Sequence, residues 1–210
     1  MTTDAYDWFE PLYAQADEDV SQIPWALPGA VPYLTQWLSK NEIDGKEQTA
    51  VVVGCGLGDD AEALSSAGFA VTAFDVSESA IAWAKKRFPG STVNYVTADL
   101  FKLPAVWLGG FDLVFDFRTI QALPVAVRAE AIAQIASLPK PGGTVLIITY
   151  VRADKAIPEG PPWPLTEQEL SQFEESGLAV IGKETFREKE SRFSDRIQIQ
   201  YQAPEQGMYK

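Results

Sequence analysis

The chain has no histidine and a single cysteine, Cys55. The first absence excludes imidazole as a general base, histidine–metal sites and a serine–histidine triad. The second excludes an internal disulfide and a metal held by a cysteine cluster. Basic residues are scarce as well: 17 Lys and Arg stand against 29 Asp and Glu, a formal net charge of −12. Such a surface disfavours nucleic acid, because phosphate contacts supply most of that affinity and need a basic face. It disfavours anionic membranes too, and its ordinary meaning is solubility. No run of about 18 apolar residues is present, so no membrane span is expected. The N-terminal stretch Met1-Thr-Thr-Asp-Ala-Tyr-Asp lacks the basic and apolar regions of a signal peptide, which makes the cytoplasm the expected compartment.

What the sequence does contain is organised around residues 51–75. Val51-Val-Val53 reads as the end of a buried strand. Gly54, Gly56 and Gly58 make a turn whose backbone can approach a ligand closely. A helix then runs from Asp59 to Ala67, with Asp59 and Glu62 spaced as N-cap and capping-box partner and Gly68 just past its end. Ala70–Asp75 is a second apolar strand that finishes on an acid. Together these form a nucleoside-binding βαβ unit. The dinucleotide fingerprint G-x-G-x-x-G would need a glycine where Asp59 stands, and Asp60 follows it. Two carboxylates at a helix N-terminus repel the pyrophosphate that normally sits there. A ligand with a ribose, no phosphate and a positive charge suits the turn better, and S-adenosyl-L-methionine has that description. Asp75 is placed to accept both ribose hydroxyls.

Upstream, residues 1–45 are rich in aromatics and proline. They predict a helix over about 30–40 and, before it, a segment able to fold over the ligand, with Trp25 at the cofactor's edge or in ordinary packing. Downstream, Ser77 caps a helix to about Phe88, and a third strand over Val93–Thr97 runs into Asp99-Leu100-Phe101. A carboxylate there can accept from an adenine amine while Leu100 or Phe101 covers the ring. A fourth strand, Leu113–Phe115, ends at Asp116, followed by Phe117 and Arg118. Ligands of open α/β sheets bind beyond the carboxyl ends of strands, so Asp116 and Arg118 are expected to face the same crevice as Gly56, Asp75 and Asp99. A helix over Val125–Leu138 follows, Lys140-Pro-Gly-Gly143 reads as a turn, and Thr144–Tyr150 as the fifth strand. Val151–Pro164 is a long proline-rich loop, and Thr166 with Glu169 caps a helix to about Glu175. Leu178–Phe186 and Arg192–Tyr201 close the sheet as an antiparallel pair, with a charged turn between them. The expected fold is therefore α/β: a Rossmann-like, doubly wound, seven-stranded sheet, mostly parallel with a C-terminal antiparallel hairpin. We expect one domain over residues 1–210, with residues 1–45 as N-terminal cap and 46–210 as core.

The order of these motifs resembles the class I S-adenosylmethionine-dependent methyltransferases. Val53-Gly-Cys-Gly-Leu-Gly-Asp-Asp, Gly68 through Asp75-Val-Ser, Phe111-Asp-Leu-Val-Phe-Asp116 with Ala122-Leu-Pro124, and Gly160-Pro-Pro-Trp-Pro164 resemble the thiopurine methyltransferase-like family, which includes halide and thiol methyltransferases. The resemblance implies that Gly54, Gly56 and Gly58 line the cofactor and that Asp75 and Val76 hold its ribose end. It further implies that Asp99 and Leu100 meet the adenine and that Trp25 flanks the methionine part. The placement of Asp116 and Arg118 at the end of the fourth strand makes them, separately from the resemblance, the expected groups for orienting the acceptor, with Asp116 also at the cofactor. Two positions depart from the family pattern: Val52 replaces an acid, and Phe117 displaces the usual basic or tyrosine residue so that Arg118 comes one place later. The Asn/Asp-Pro-Pro-aromatic signature of base N-methyltransferases is absent at Asp116-Phe-Arg-Thr119. The expected acceptor is a small molecule, a thiol or other soft nucleophile, with O- or N-methylation and non-catalytic nucleoside binding as alternatives. A monomer or weak dimer is expected.

Overall fold

The computed structural model describes residues 6–153, 159–187 and 195–205. The chain divides into two compact units, Met1–Lys102 and Leu103–Lys210. Its strands give a mostly parallel seven-stranded sheet with an antiparallel C-terminal pair, as expected from the sequence.

In the first unit, α1 (Phe9–Gln15) and α2 (Pro32–Lys40) precede β1 (Thr49–Val53). Pro32 opens α2 at a position where a missing amide costs nothing. Leu34 and Trp37 on its inner face are buried, each such side chain contributing about 1.5–3 kcal/mol. Ala50 to Val53 are all buried. Then come α3 (Asp59–Ser66), β2 (Ala70–Asp75), α4 (Glu78–Arg87) and β3 (Asn94–Thr97). The three strands lie parallel in the order β3-β2-β1, with Val53 opposite Phe74 and Asp75 opposite Thr97. Parallel strands need such helical crossovers.

The capping box expected on α3 is not there. Gly58 is its N-cap residue, in the left-handed region and without a side-chain cap bond. Asp59 instead pairs with Arg87 at 2.5 and 2.9 Å, and Glu62 accepts from the Tyr95 hydroxyl at 2.7 Å. Ser77 does cap α4, accepting from the Ala80 amide.

The second unit contains β4 (Phe111–Phe117), α5 (Thr119–Ala122), α6 (Val125–Ala136), β5 (Pro139–Tyr150), α7 (Glu167–Leu170), α8 (Gln172–Glu175), β6 (Ala179–Arg187) and β7 (Asp195–Gln202). Its strand order is β4-β5-β7-β6, with β4 and β5 parallel and the other pairings antiparallel. Val145 to Ile148 of β5 are fully buried between two partners. Two differences from the sequence reading stand out. The Lys140–Gly143 stretch belongs to β5, since Pro139 already pairs with Phe111 and Gly143 approaches the Phe111 carbonyl too closely for a Cβ. The helix after Thr166 is two short helices meeting at Ser171, although the Thr166–Glu169 capping box is present. The charged turn expected between β6 and β7 lies largely outside the described residues. Among the described residues no helix is long and apolar enough to cross a membrane.

Candidate functional site

In the first unit, Gly54, Gly56 and Gly58 have φ values of 59°, 51° and 91°. Space forbids side chains as firmly as the backbone does. A Cβ on Gly56 would lie 2.9 Å from the Tyr13 hydroxyl, and one on Gly58 2.4 Å from the Tyr95 hydroxyl. The Gly56 amide donates to Oδ2 of Asp75 at 2.9 Å, and the Ser77 amide donates to Oδ1 at 3.0 Å. Val76 sits half-buried between Asp75 and Ser77. Burial raises the Asp75 carboxyl above its ordinary value; the amides of Ser77, Gly56 and Val76 oppose that, and nearby Glu10 adds to it. Cys55 lies in the same turn, and burial followed by the charge of Asp75 pushes its thiol well up.

The aromatic N-terminal segment packs onto this turn. Trp25 donates from Nε1 to the buried Tyr13 hydroxyl at 2.9 Å and stands edge-on to Tyr13, Phe9 and Trp8. Tyr13 joins Ile23, Leu57 and Trp83 in one apolar cluster. Glu10 bridges from α1 to the start of α4: it accepts from Ser77 Oγ at 2.6 Å, from Ser79 Oγ at 2.6 Å and from the Ser79 amide at 3.1 Å. Burial works against its charge, but the bonds from Ser77 and Ser79 outweigh it and hold its carboxyl below the ordinary value. At the end of β3, Asp99 accepts the Phe101 amide on Oδ1 and the Tyr6 hydroxyl on Oδ2, while Leu100 is buried. Asp60, the second acid of the turn, accepts from the Val31 amide at 2.7 Å.

In the second unit, Asp116 is fully buried near the end of β4, and neither carboxylate oxygen has a well-formed hydrogen-bond partner. Burial dominates; the amides of Ile120 and Thr119 and the Thr119 hydroxyl favour the charge only weakly, and the carboxyl is pushed up to about 7. Arg118 adopts a left-handed φ of 72°, and its guanidinium lies 4.6 Å from the Phe117 ring centre. Arg196, 1% exposed, approaches the same ring at 5.5 Å and the Tyr150 ring at 4.1 Å. The two guanidiniums thus share the Phe117 ring, and Arg196 reaches the Tyr150 ring as well.

In the same unit, Arg128 donates to Glu169 Oε1 at 2.5 Å and to the Trp163 carbonyl at 2.8 Å, while Arg152 donates to the Pro164 carbonyl at 2.8 Å. Gln121 accepts the Trp163 amide on its backbone and the Tyr150 amide on its side chain, each at 2.7 Å. The proline-rich segment is thus held at both sides of Trp163.

A family model described as Thiopurine S-methyltransferase (TPMT) matches residues 17–199. The chain belongs to this family. It is accordingly an S-adenosylmethionine-dependent methyltransferase. Among relatives, Thiocyanate methyltransferase 1 of Arabidopsis thaliana is 30% identical over 76% of this chain and 67% of its own length. Thiopurine S-methyltransferase of Aliivibrio salmonicida is 27% identical over 78% of this chain and 85% of its own. Against two other curated relatives this methyltransferase spans 53% and 65% of their lengths. Among solved structures, 1,6-didemethyltoxoflavin-N1-methyltransferase of Burkholderia thailandensis has a TM-score of 0.75 at 16% identity, over 97% of this chain and 91% of its own, which is a likeness of fold.

The first unit of this methyltransferase fits the cofactor by the chemistry of its donors. A carboxylate offers about four acceptor positions, so beyond the amides of Gly56, Ser77 and Val76 Asp75 keeps capacity for a ribose hydroxyl. Asp75, Glu10 and Asp60 make the surroundings acidic, which suits a sulfonium, whereas Asp59 is neutralised by Arg87. Sequence reasoning missed Tyr6, Glu10, Tyr13, Gln121, Arg128 and Arg196. Tyr6 and Tyr13 left a trace only as members of the aromatic N-terminal segment, and Arg196 as the one cation in an otherwise uncharged alternating run, Arg-Ile-Gln-Ile-Gln-Tyr201.

Proposed function

We propose that this chain methylates a small, soft, anionic nucleophile, a thiolate first and then a pseudohalide or halide, as one catalytic domain over residues 1–210. The observation that carries this reading is the placement of Arg118 and Arg196 on the Phe117 and Tyr150 rings. Such a patch attracts a polarizable anion while keeping it poorly hydrated. The thiocyanate and thiopurine methyltransferases among its relatives support it.

S-adenosylmethionine, when bound, supplies a methyl group activated on a sulfonium. Gly54, Gly56, Gly58, Asp75 and Val76 hold its ribose and methionine side, Asp99 and Leu100 its adenine, and Trp25, through Tyr13, closes over the turn. Arg118 and Arg196 hold the acceptor as its anion, lowering a thiol's pKa by their charge. A thiolate so prepared needs no base at the moment of transfer, which accommodates a chain without histidine. Positioning then supplies most of the rate, about 7–11 kcal/mol for well-oriented reactants. A hydroxyl acceptor is the second reading, favoured by Asp116, whose carboxyl near 7 is matched to general-base work. The proposed setting is the cytoplasm, as a monomer or weak dimer, without nucleic acid.

The test is release of S-adenosylhomocysteine with thiols, hydrogen sulfide, thiocyanate, iodide, phenols and amines. Turnover confined to the sulfur and halide nucleophiles is expected. Turnover on phenols alone would replace the first reading by the second.

A further inference from the structure

We propose that Tyr6 stands in the adenine's place on Asp99, so that the N-terminal segment and the cofactor's base compete for that carboxylate. The proposal rests on reading Asp99 as the adenine acceptor. An adenine needs two things at the end of β3: an apolar face to lie on and an acceptor for its amine. Tyr6 already takes both. Its ring stacks on Phe101 with centres 5.4 Å apart and planes within 15°, and its hydroxyl donates to Asp99 Oδ2 at 3.1 Å.

Three of the carboxylate's about four acceptor positions are taken, and Oδ2 is full. Oδ1 accepts the Phe101 amide at 2.9 Å, and Oδ2 receives Lys102 Nζ at 3.2 Å as well as Tyr6. An oxygen has two lone pairs, so a further donor on Oδ2 must displace one of the present two. Lys102 is mostly exposed and can return to water at little cost. The Tyr6 ring is 7% exposed and cannot leave without carrying the turn ahead of α1 with it. Displacing Lys102 alone would free an acceptor position but not the Phe101 face on which Tyr6 lies, so the exchange is a movement of the segment. Glu10, fastened to Ser77 and Ser79, limits how far that movement spreads. A site closed by its own chain shows an apparent Kd raised by the fraction of time it is closed.

The experiment is calorimetric titration with S-adenosylhomocysteine, which needs no acceptor. Tyr6→Phe keeps the ring and removes the donor. It should bind about three- to tenfold tighter than the wild type, the range a hydrogen bond to a partly exposed carboxylate spans. S-inosylhomocysteine, with a carbonyl in place of the amine, separates the two ways of being wrong. A wild-type preference for the adenine compound of about tenfold, lost in Asp99→Ala, supports the acceptor role of Asp99. Without that preference Asp99 does not read the base and the competition falls with it. With the preference present, unchanged or weaker binding by Tyr6→Phe makes Tyr6 a wall of the pocket and overturns the competition alone.

Discussion

The amide of Gly56 and the carboxylate of Asp75 are joined by a 2.9 Å hydrogen bond, which locks the glycine turn to the end of the second strand. Asp75 is therefore both a ligand group and a brace. Asp75→Asn replaces one acceptor oxygen by a donor and sets it against a backbone amide. Affinity for S-adenosylhomocysteine should fall at least about tenfold by calorimetry, the cost of one lost charged hydrogen bond. A smaller loss would remove Asp75 from the ribose.

Acceptor and cofactor effects should separate at Arg118. Arg118→Met keeps length and apolar contact with Phe117 but removes the charge. The acceptor KM should rise about tenfold or more while S-adenosylhomocysteine affinity stays within about twofold. Equal losses in both would place Arg118 with the cofactor or the fold rather than with the acceptor.

Asp116 gives the pH dependence. Its folded pKa of about 7 lies above its ordinary 3.8. A carboxyl raised in this sense contributes stability that is full below the unfolded value and is lost as pH rises through the folded one. The loss falls between about pH 4 and 7. Asp116→Asn resembles the protonated form and does not titrate. Its Tm should match the wild type near pH 4 and exceed it by several degrees near pH 8, about 2–4 °C per kcal/mol at this size. A constant Tm difference across that window would mean that Asp116 is not proton-linked to folding.

Arg128 and Glu169 predict an asymmetry between two single substitutions. Arg128→Met takes the nearer of two cations from the partly buried Glu169 and releases the Trp163 carbonyl, at a cost of about 1.5–3 kcal/mol. Glu169→Gln loses charge, but glutamine still serves as the third residue of a capping box. Urea unfolding should show the first variant clearly less stable than the second. Equal losses would mean that the charge of the pair, not the bond to the segment, is what matters.

Gly58 can be tested with its neighbour. Gly58→Ala meets a left-handed backbone and the Tyr95 ring and hydroxyl. The cost should be about 2–3 kcal/mol, the sum of backbone strain and overpacking. Tyr95→Phe removes the nearest atom, so in the double variant part of the loss should return. Strict additivity would leave backbone strain as the whole cause.

What could be read beforehand was local. β1, the glycine turn, β2 and Asp75 declare themselves because strand period, left-handed glycines and a terminal acid fall within the one stretch from Thr49 to Asp75. Asp59 and Glu62 misled because capping-box spacing says nothing about competing partners, and Arg87 and Tyr95 lie far along the chain. The roles of Glu10 and Tyr6 could not be read for the same reason: their partners Ser77 and Asp99 are 67 and 93 residues away. Arg128 looked like one polar residue on an alanine-rich helix, and only tertiary packing showed it buried. Its helix has six buried residues and Arg128 is one of them.

The position of Cys55 bears on self-damage. An enzyme that hands methyl groups to sulfur nucleophiles is itself at hazard from any soft nucleophile it carries. This chain carries one thiol, placed within its glycine turn, where burial and the Asp75 charge keep it protonated. A neutral thiol is not the attacking species. The turn thus disfavours the thiolate, the form that an alkylating agent would meet as a nucleophile.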